Sequence, residues 1–476
     1  VITINNVFSY LTLVVIIVYS VLLNQNYNDI ILIKLTLPIF FLIVIGYTLE
    51  KIVSKEFKFF TPFNLVLLGL FIVHIQIYID LVIGNIDTGV DFVWVDKNNI
   101  VKVYLINQIG ILAFIFSYNY FNHFRLPLIF FGKYSISRTW FLDLISIISC
   151  VSFFYFVNPL YLIGFYGVED MGTIATYSHL IFILSWYAKI IQNYVNKSSI
   201  NQRSFTSYIK SFGIIQILFL IIFLVGVVSS GDRGPLISLL ISFCIPYILN
   251  RSIKINVFLA SFLIFISLFS VSLLGSIRKL DNNLGLLLRI QESFGNNSLD
   301  SKQWTSFLPY TQEMALSLRT VNHAVSYVPK YHPYLYGRFQ LTYILTSVPF
   351  TYNMFPLLFN DLTTKYSSSA SFVTWINQGD NPHSGDGTST IADFYLDFGY
   401  LGVLIGMLLW GGIISYTEKI MFASTPIRIF ALCFAFVYFS QGFYIARASV
   451  FFELKNVFWV FLLLKLNNFI TKFVIK

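Results

Sequence analysis

Three features of this sequence predict an all-α, polytopic membrane protein: apolar runs of spanning length from end to end, few charged residues, and an uneven placement of lysine and arginine between the runs. Of 476 residues, 57% are hydrophobic and 11% charged, whereas a soluble domain carries about 25% charged residues. A helix of about 18 apolar residues crosses a hydrocarbon core of ~30 Å and satisfies its own backbone polar groups there. An outer-membrane barrel would need segments of about 10 residues alternating apolar and polar, and the sequence lacks that pattern.

About twelve spans are expected, near 7–24, 31–49, 62–84, 101–121, 139–159, 174–194, 211–230, 235–250, 255–276, 392–415, 427–446 and 449–467. The first run has no basic segment before it and no small-residue cleavage site, so it reads as a retained span. With both termini cytoplasmic, the inside segments collect Lys51, Lys55, Lys58, Arg125, Lys133, Arg138, Lys197, Arg203, Lys210, Arg251, Lys254, Lys419, Arg428, Lys465, Lys472 and Lys476. The short outside loops carry Asp29, Asp87, Asp91, Glu169 and Asp170, with Lys97 and Arg233 as exceptions. That asymmetry obeys the positive-inside rule and explains the net charge of +9 without a nucleic-acid partner. Cys150, Cys244 and Cys433 lie in apolar runs without metal-ligand spacing and read as packing residues.

The organisation expected is a bundle of nine spans over 1–276, a large outside loop over 277–391, and three further spans over 392–476. Trp304, Phe307, Tyr310, Met314, Leu316 and Leu318 recur near helical spacing, and Tyr343, Ile344 and Leu345 form an apolar run before Pro349. The loop is therefore expected to hold amphipathic or membrane-dipping helices over a cavity, followed by an irregular stretch from Lys365 to Thr390.

Candidate chemistry gathers where that loop enters the tenth span, in NPHSGDGTSTIADFYLDFGYLG. His383 stands in a polar loop with no packing demand for imidazole, and its ordinary pKa near 6.5 suits proton transfer; the plainer alternative is a solvated histidine. Thr390 and Asp393 fit a capping box, a structural role that competes with a catalytic one for Asp393. Gly399 and Gly402 are expected to allow close helix packing. In SGDRGP, Gly231, Gly234 and Pro235 make a tight outside turn that holds Arg233 at the mouth of the bundle, poised for phosphate or simply snorkelling. Arg278, Arg289, Arg319 and Arg338 in the loop, with Arg447 at the outer end of the eleventh span, add guanidinium groups that suit an anionic ligand. Glu292, Glu313 and Asp386 are further carboxylates that could act as a base. Lys34, His74, Asp80, Asp143, Glu453 and Lys455 lie within spans, where an unpartnered charge costs about 2.5–3.5 kcal/mol. P-loop, Rossmann, HExxH and GxSxG elements do not occur in a supporting context.

The span layout, the FTPFNLVLLGLF opening of the third span, the SGDRGP turn and HSGDGTSTIADFYLDFGYLG resemble the O-antigen polysaccharide polymerases (Wzy) and oligosaccharide repeat-unit polymerases. They are also similar to the related O-antigen ligases, although those commonly have Asn shortly after the histidine and Glu before the glycines where this chain has Ser384 and Asp397. The resemblance implies a GT-C-like fold in the bacterial inner membrane with a periplasmic active site that uses no metal or nucleotide cofactor. It implies a glycan donor on undecaprenyl diphosphate, a lipid-linked acceptor, and a chain-length regulator protein as a possible partner. By motif, Arg233 would bind the donor diphosphate, helped by the loop arginines, and His383 would lie near the acceptor hydroxyl. The alternatives are a ligase transferring the glycan to lipid A core and, in another class, a lipid-linked oligosaccharide flippase. Flippases tend to show two similar halves and rarely carry so large an outer loop.

Overall fold

The computed structural model describes residues 4–25, 29–53, 60–123, 139–162, 171–195, 205–230, 232, 234–251, 304, 306–348, 351, 364–382, 384–422 and 429–474. Among them the regular structure is helical, with no strand. Helices of eight or more residues are α1 (Ile4–Asn24), α2 (Ile31–Val53), α3 (Pro62–His74), α4 (Gln76–Ile83), α5 (Ile100–His123), α6 (Trp140–Phe156), α7 (Thr173–Val195), α8 (Ile214–Ser230) and α9 (Gly234–Arg251). They continue with α10 (Leu318–Tyr327), α11 (Arg338–Thr346), α12 (Ser369–Gln378), α13 (Thr390–Phe422), α14 (Ile429–Gln441) and α15 (Leu454–Val474). Five described helices are long and apolar enough to cross a membrane, or six if the bent α3–α4 pair is one span, and four apolar helices are shorter. Each expected span except the ninth coincides with one of these helices or with the α3–α4 pair; the ninth, 255–276, lies outside the described residues.

The chain forms two compact units. The first comprises Val1–Leu126, Asn297–Lys419 and Phe443–Phe452. In it the FTPFN opening of α3 behaves as a helix start: Thr61 accepts a hydrogen bond from the Asn64 N–H at 3.2 Å, and Pro62 takes the first helical position, where its missing N–H costs nothing. At Ile75 the backbone leaves helical geometry and α4 resumes at an angle of 45°. The bend carries Asp80 to a place where the start of the large loop closes on it. Its carboxylate accepts from the Trp304 indole (3.0 Å), the Ser306 hydroxyl (2.6 Å), the Phe307 N–H (2.8 Å) and the Asn85 amide (3.1 Å). One turn earlier Gln76 donates to Ser306 Oγ and the Leu308 carbonyl and accepts from Thr311. An intramembrane carboxylate expected from sequence to be costly is thus fully partnered. His74 and Tyr78 turn inward beside Asn107 of α5. Where α13 crosses α5, Gly411 leaves no space for a Cβ against the Phe114 carbonyl, while Tyr118 donates to Glu418 at 2.9 Å and Lys419 to the Phe121 carbonyl at 2.6 Å.

The second unit comprises Pro127–Asn296, Ile420–Gly442 and Glu453–Lys476. Its α6 and α7 pack along their length, and the Asp143 carboxylate of α6 meets the Lys189 ammonium of α7 at 2.5 Å. Lys189 also donates to the Phe212 carbonyl, and Ser146 to Gln216 of α8. Glu453 accepts from Asn456 at 2.6 Å. The three cysteines are free thiols.

In the loop, the spacing read as helical from Trp304 to Leu318 corresponds to a buried Trp304, a 3-10 turn at Pro309–Thr311 and a four-residue helix at Gln312–Ala315, with α10 starting only at Leu318; α11 covers the Tyr343–Leu345 run. The stretch from Lys365 to Thr390, expected to be irregular, holds α12 instead. Its serines cap rather than break: Ser368 accepts from the Ser371 N–H at 3.0 Å, Phe372 and Val373 are buried, and Gly379 (φ 77°) ends the helix.

Replacing Asp80 by alanine strands three buried donors of the 304–307 segment. Asp80→Ala is therefore expected to destabilise the protein by about 3 kcal/mol and to open this segment to protease. Thermal unfolding and limited proteolysis of the detergent-solubilised chain check this, and unchanged cleavage would refute the clamp.

Candidate functional site

The first turn of α13 is built differently from the capping box expected. Ser389 is the cap, accepting from the Ala392 N–H at 3.3 Å, while Thr390 donates to the Ile445 and Ala448 carbonyls at 2.9 and 3.1 Å. Asp393 is thereby released from capping. Its side chain is 0% exposed, and its Oδ2 accepts from Gln340 Nε2 of α11 at 2.8 Å and from the Ser449 hydroxyl at 2.7 Å. Oδ1 meets no donor at hydrogen-bonding geometry among the described residues, although the Ser369 hydroxyl lies beside the carboxylate. Ser369 itself is held by Tyr343, whose hydroxyl accepts from the Ser369 N–H at 3.0 Å.

One turn further, Asp397 is also buried, and α13 then breaks at Phe398 (φ −142°, ψ 19°) and Gly399 (φ 65°, ψ −151°). Only glycine adopts the Gly399 conformation without strain. The residue expected to serve helix packing is instead the pivot of a broken helix, and the Tyr334 ring fills the space a Cβ would take. The freed carbonyls of Leu396 and Asp397 accept from the N–H groups of Leu335 and Tyr336 at 3.0 and 2.9 Å. The Asp397 carboxylate lies beside the N–H groups of Phe339 and Gln340, at the positive end of α11. Gly402, expected to pack against another helix, instead meets the Phe394 carbonyl and Phe398 of α13 itself across the break.

A second charged centre joins α10, α12 and the segment before α13. Arg319 meets Asp386 at 2.6 Å, with Asp386 3% exposed and Arg319 32%. Asp386 Oδ2 also accepts from Asn377 at 3.0 Å and Gln378 at 2.8 Å, and its N–H donates to Thr374. Close by, His323 is buried, and burial pushes its pKa down to about 4, with Asp386 acting to raise it and Arg319 to lower it.

Of the residues singled out from sequence, the structure gathers Asp393, Arg319 and Arg338 on elements of the first unit. Arg319, expected to await an anion, already has Asp386. Arg338 opens α11 and places its guanidinium carbon 4.1 Å from the centre of the Tyr366 ring. Arg447 is half-buried, 5.7 Å from the Tyr444 ring, and adjoins the Ala448 and Ser449 contacts to α13. His383, Arg233, Arg278, Arg289 and Glu292 lie outside the described residues. Sequence reading missed Gln340 and Ser449 as partners of Asp393; the readable signal was the four-residue spacing of Asp393 and Asp397, which puts both on one helix face. Among the described residues no group of three or more His, Cys, Asp or Glu side chains gathers as a metal site.

A family model described as O-antigen polysaccharide polymerase Wzy matches residues 4–474. No curated protein and no solved structure matches the chain.

Two outcomes follow from this geometry. Gly399→Ala is expected to cost about 1–3 kcal/mol of backbone strain, beyond the clash with Tyr334, and to lower the thermal unfolding temperature; a neutral substitution would refute the pivot. Because the folded pKa of His323 is near 4 and the unfolded one near 6.5, the unfolded chain binds the proton first as pH falls. Stability is then lost between about pH 6.5 and 4, by up to ~3 kcal/mol. Unfolding midpoints across that range should show the slope in wild type, and His323→Gln should flatten it.

Proposed function

The chain belongs to the O-antigen polysaccharide polymerase Wzy family, and on that premise we propose that it joins lipid-linked oligosaccharide repeat units into a surface polysaccharide. The donor is a glycan on undecaprenyl diphosphate, the acceptor a hydroxyl of a second lipid-linked unit, and the site faces the periplasmic side of the bacterial inner membrane. The observation that carries this reading is a family match over nearly the whole chain. The helical, apolar chain with a folded loop entering a broken span supports it.

In the reaction the acceptor oxygen bonds to the anomeric carbon of the donor's first sugar. The bond from that carbon to the diphosphate oxygen breaks, and undecaprenyl diphosphate leaves with the electron pair. The acceptor proton goes to a base, for which Asp393 and His383 are the candidates. Asp393 suits the task because Gln340 and Ser449 fix one oxygen, while Oδ1 has no donor among the described residues. It is closed from water in this state, so access requires the 445–449 segment to move, as active-site coverings do. Charge on the departing diphosphate falls to guanidinium groups, with Arg233, Arg278, Arg289, Arg338 and Arg447 as candidates; Arg319 is held by Asp386 and assigned to the scaffold. Twelve spans, both termini cytoplasmic, a GT-C-like arrangement and a chain-length regulator as partner belong to the same proposal.

The test is the polysaccharide ladder of a deletion strain complemented with wild type or single variants, at matched membrane levels of protein. Wild type restores the ladder. Asp393→Asn and Arg338→Ala are expected to lower the rate of repeat joining by roughly 10²-fold, leaving mostly single repeat units. A deletion that keeps chain length but loses attachment to lipid A core would overturn the polymerase reading.

A further inference from the structure

The loop carries a row of aromatic side chains that its own packing leaves partly uncovered. Tyr327, at the end of α10, and Trp375 of α12 meet edge to face with ring centres 5.8 Å apart, and Tyr331 follows at 5.6 Å from Tyr327. On the other side of Trp375, Phe372 stacks at 5.6 Å and Tyr366 stacks on Phe372 at the same spacing. Phe372 is buried and anchors the row, whereas Tyr331 is 65% exposed and Tyr327, Trp375 and Tyr366 are half-buried. The indole is held in orientation, since Trp375 Nε1 donates to Asp380 Oδ1 at 2.8 Å. Lys365 sits 4.6 Å from the Trp375 ring centre and 5.1 Å from that of Tyr366, and Lys330 sits 4.8 Å from that of Tyr331.

Phe372 is packed on all sides, whereas Tyr327, Tyr331 and Trp375 keep exposed surface. Rings of a membrane belt would stand at the ends of spanning helices, whereas these lie on short helices and turns among Lys330, Asn377 and Asp380. A pinned indole with phenol edges beside it, rimmed by amides, a carboxylate and ammonium groups, matches the chemistry of a sugar chain. Sugar C–H faces lie on aromatic faces, hydroxyls reach the polar rim, and the lysines complement phosphate or acidic sugars. The row is also continuous with the candidate site: α12 begins at Ser369, beside Asp393, and Trp375 lies six residues on, about 9 Å along the helix.

We propose that Tyr327, Tyr331 and Trp375, with Lys330 and Lys365, form a glycan-binding platform that holds the sugar chain of the lipid-linked substrate beside the site of transfer. The proposal rests on the polymerase reading for which glycan is bound. Holding the chain between additions keeps it at the site, so the platform lengthens the product.

The test uses the full-length protein in lipid nanodiscs, titrated with lipid-free oligosaccharide of two or three repeat units prepared from the host polysaccharide and followed by tryptophan fluorescence and calorimetry. Trp375→Ala and Tyr331→Ala are expected to weaken binding roughly tenfold each, the scale of one lost stacking contact, and to shift the ladder to shorter chains in complemented cells. Lys365→Ala, a half-exposed change that leaves the rings in place, is expected to weaken binding less and in a salt-dependent way. Binding by all three variants equal to wild type, with an unchanged ladder, overturns the platform. So does loss of bilayer insertion with undiminished oligosaccharide binding by the inserted fraction, which would make the row a membrane belt. Oligosaccharide binding that depends on Trp375, in a strain where wild type restores no ladder, would leave the platform standing and defeat the polymerase reading alone.

Discussion

The backbone of α13 breaks at Phe398 and Gly399, and the carbonyls this frees at the buried Leu396 and Asp397 must find donors. The loop supplies them through the N–H groups of Leu335 and Tyr336, which fixes the loop against the helix at that height. The chain must then turn at once, and Tyr336 (φ 49°) and Gly337 (φ 83°) take left-handed conformations to do so. That turn starts α11 with its N-terminus toward Asp397, and within the first turn of α11 Gln340 reaches Asp393. Position of the break, docking of the loop and orientation of the buried carboxylate are therefore consequences of one another.

The folded loop is held to the rest of its unit by buried carboxylates, each with its own set of donors. Asp80 gathers the 304–307 segment onto α4, and Asp386 ties α10 to α12 through Arg319, Asn377 and Gln378. Such groups add little net stability over apolar packing, because desolvation offsets most of the attraction, but they admit one geometry where apolar contacts admit several. A segment rich in Ser, Thr, Asn and Gly gains a defined conformation in this way. In the second unit the Asp143–Lys189 pair does the same between α6 and α7.

The spanning helices were legible because an apolar run of 18 residues has few other fates, and the start of α3 was legible because Thr61 and Pro62 are local signals. The bend at Ile75 was not, since neither proline nor glycine marks it and the loop residues that close on Asp80 just beyond it come from more than 220 positions away. The α12 helix was hidden by serines that read as turn formers until Ser368 is seen to cap. Gly399 was identified as special for the wrong reason: its spacing from Gly402 suggests a packing face, while its backbone angles come from the break. Arg319 looked like a spare cation because Asp386 lies 67 positions further on. In each case the local chemistry was readable and the partner was not.

Asp393 and Asp397 share a helix face one turn apart, yet their surroundings divide their roles. Asp397 lies against the positive end of α11, where a carboxylate offsets the unsatisfied N–H groups of a first turn; that is a sufficient structural reason for it. Asp393 lies in the first turn of α13, beside Ser369 at the start of α12. Two donors from separate segments converge on its Oδ2, which fixes the plane of the carboxylate, and Oδ1 has no donor among the described residues. Stability alone would favour a third donor there, because a buried acceptor without a partner costs about 1–3 kcal/mol. Both Asp397 oxygens likewise meet no donor at hydrogen-bonding geometry among the described residues, so what sets Asp393 apart is the pair of side-chain donors, Gln340 and Ser449 from separate segments, that holds the plane of its carboxylate.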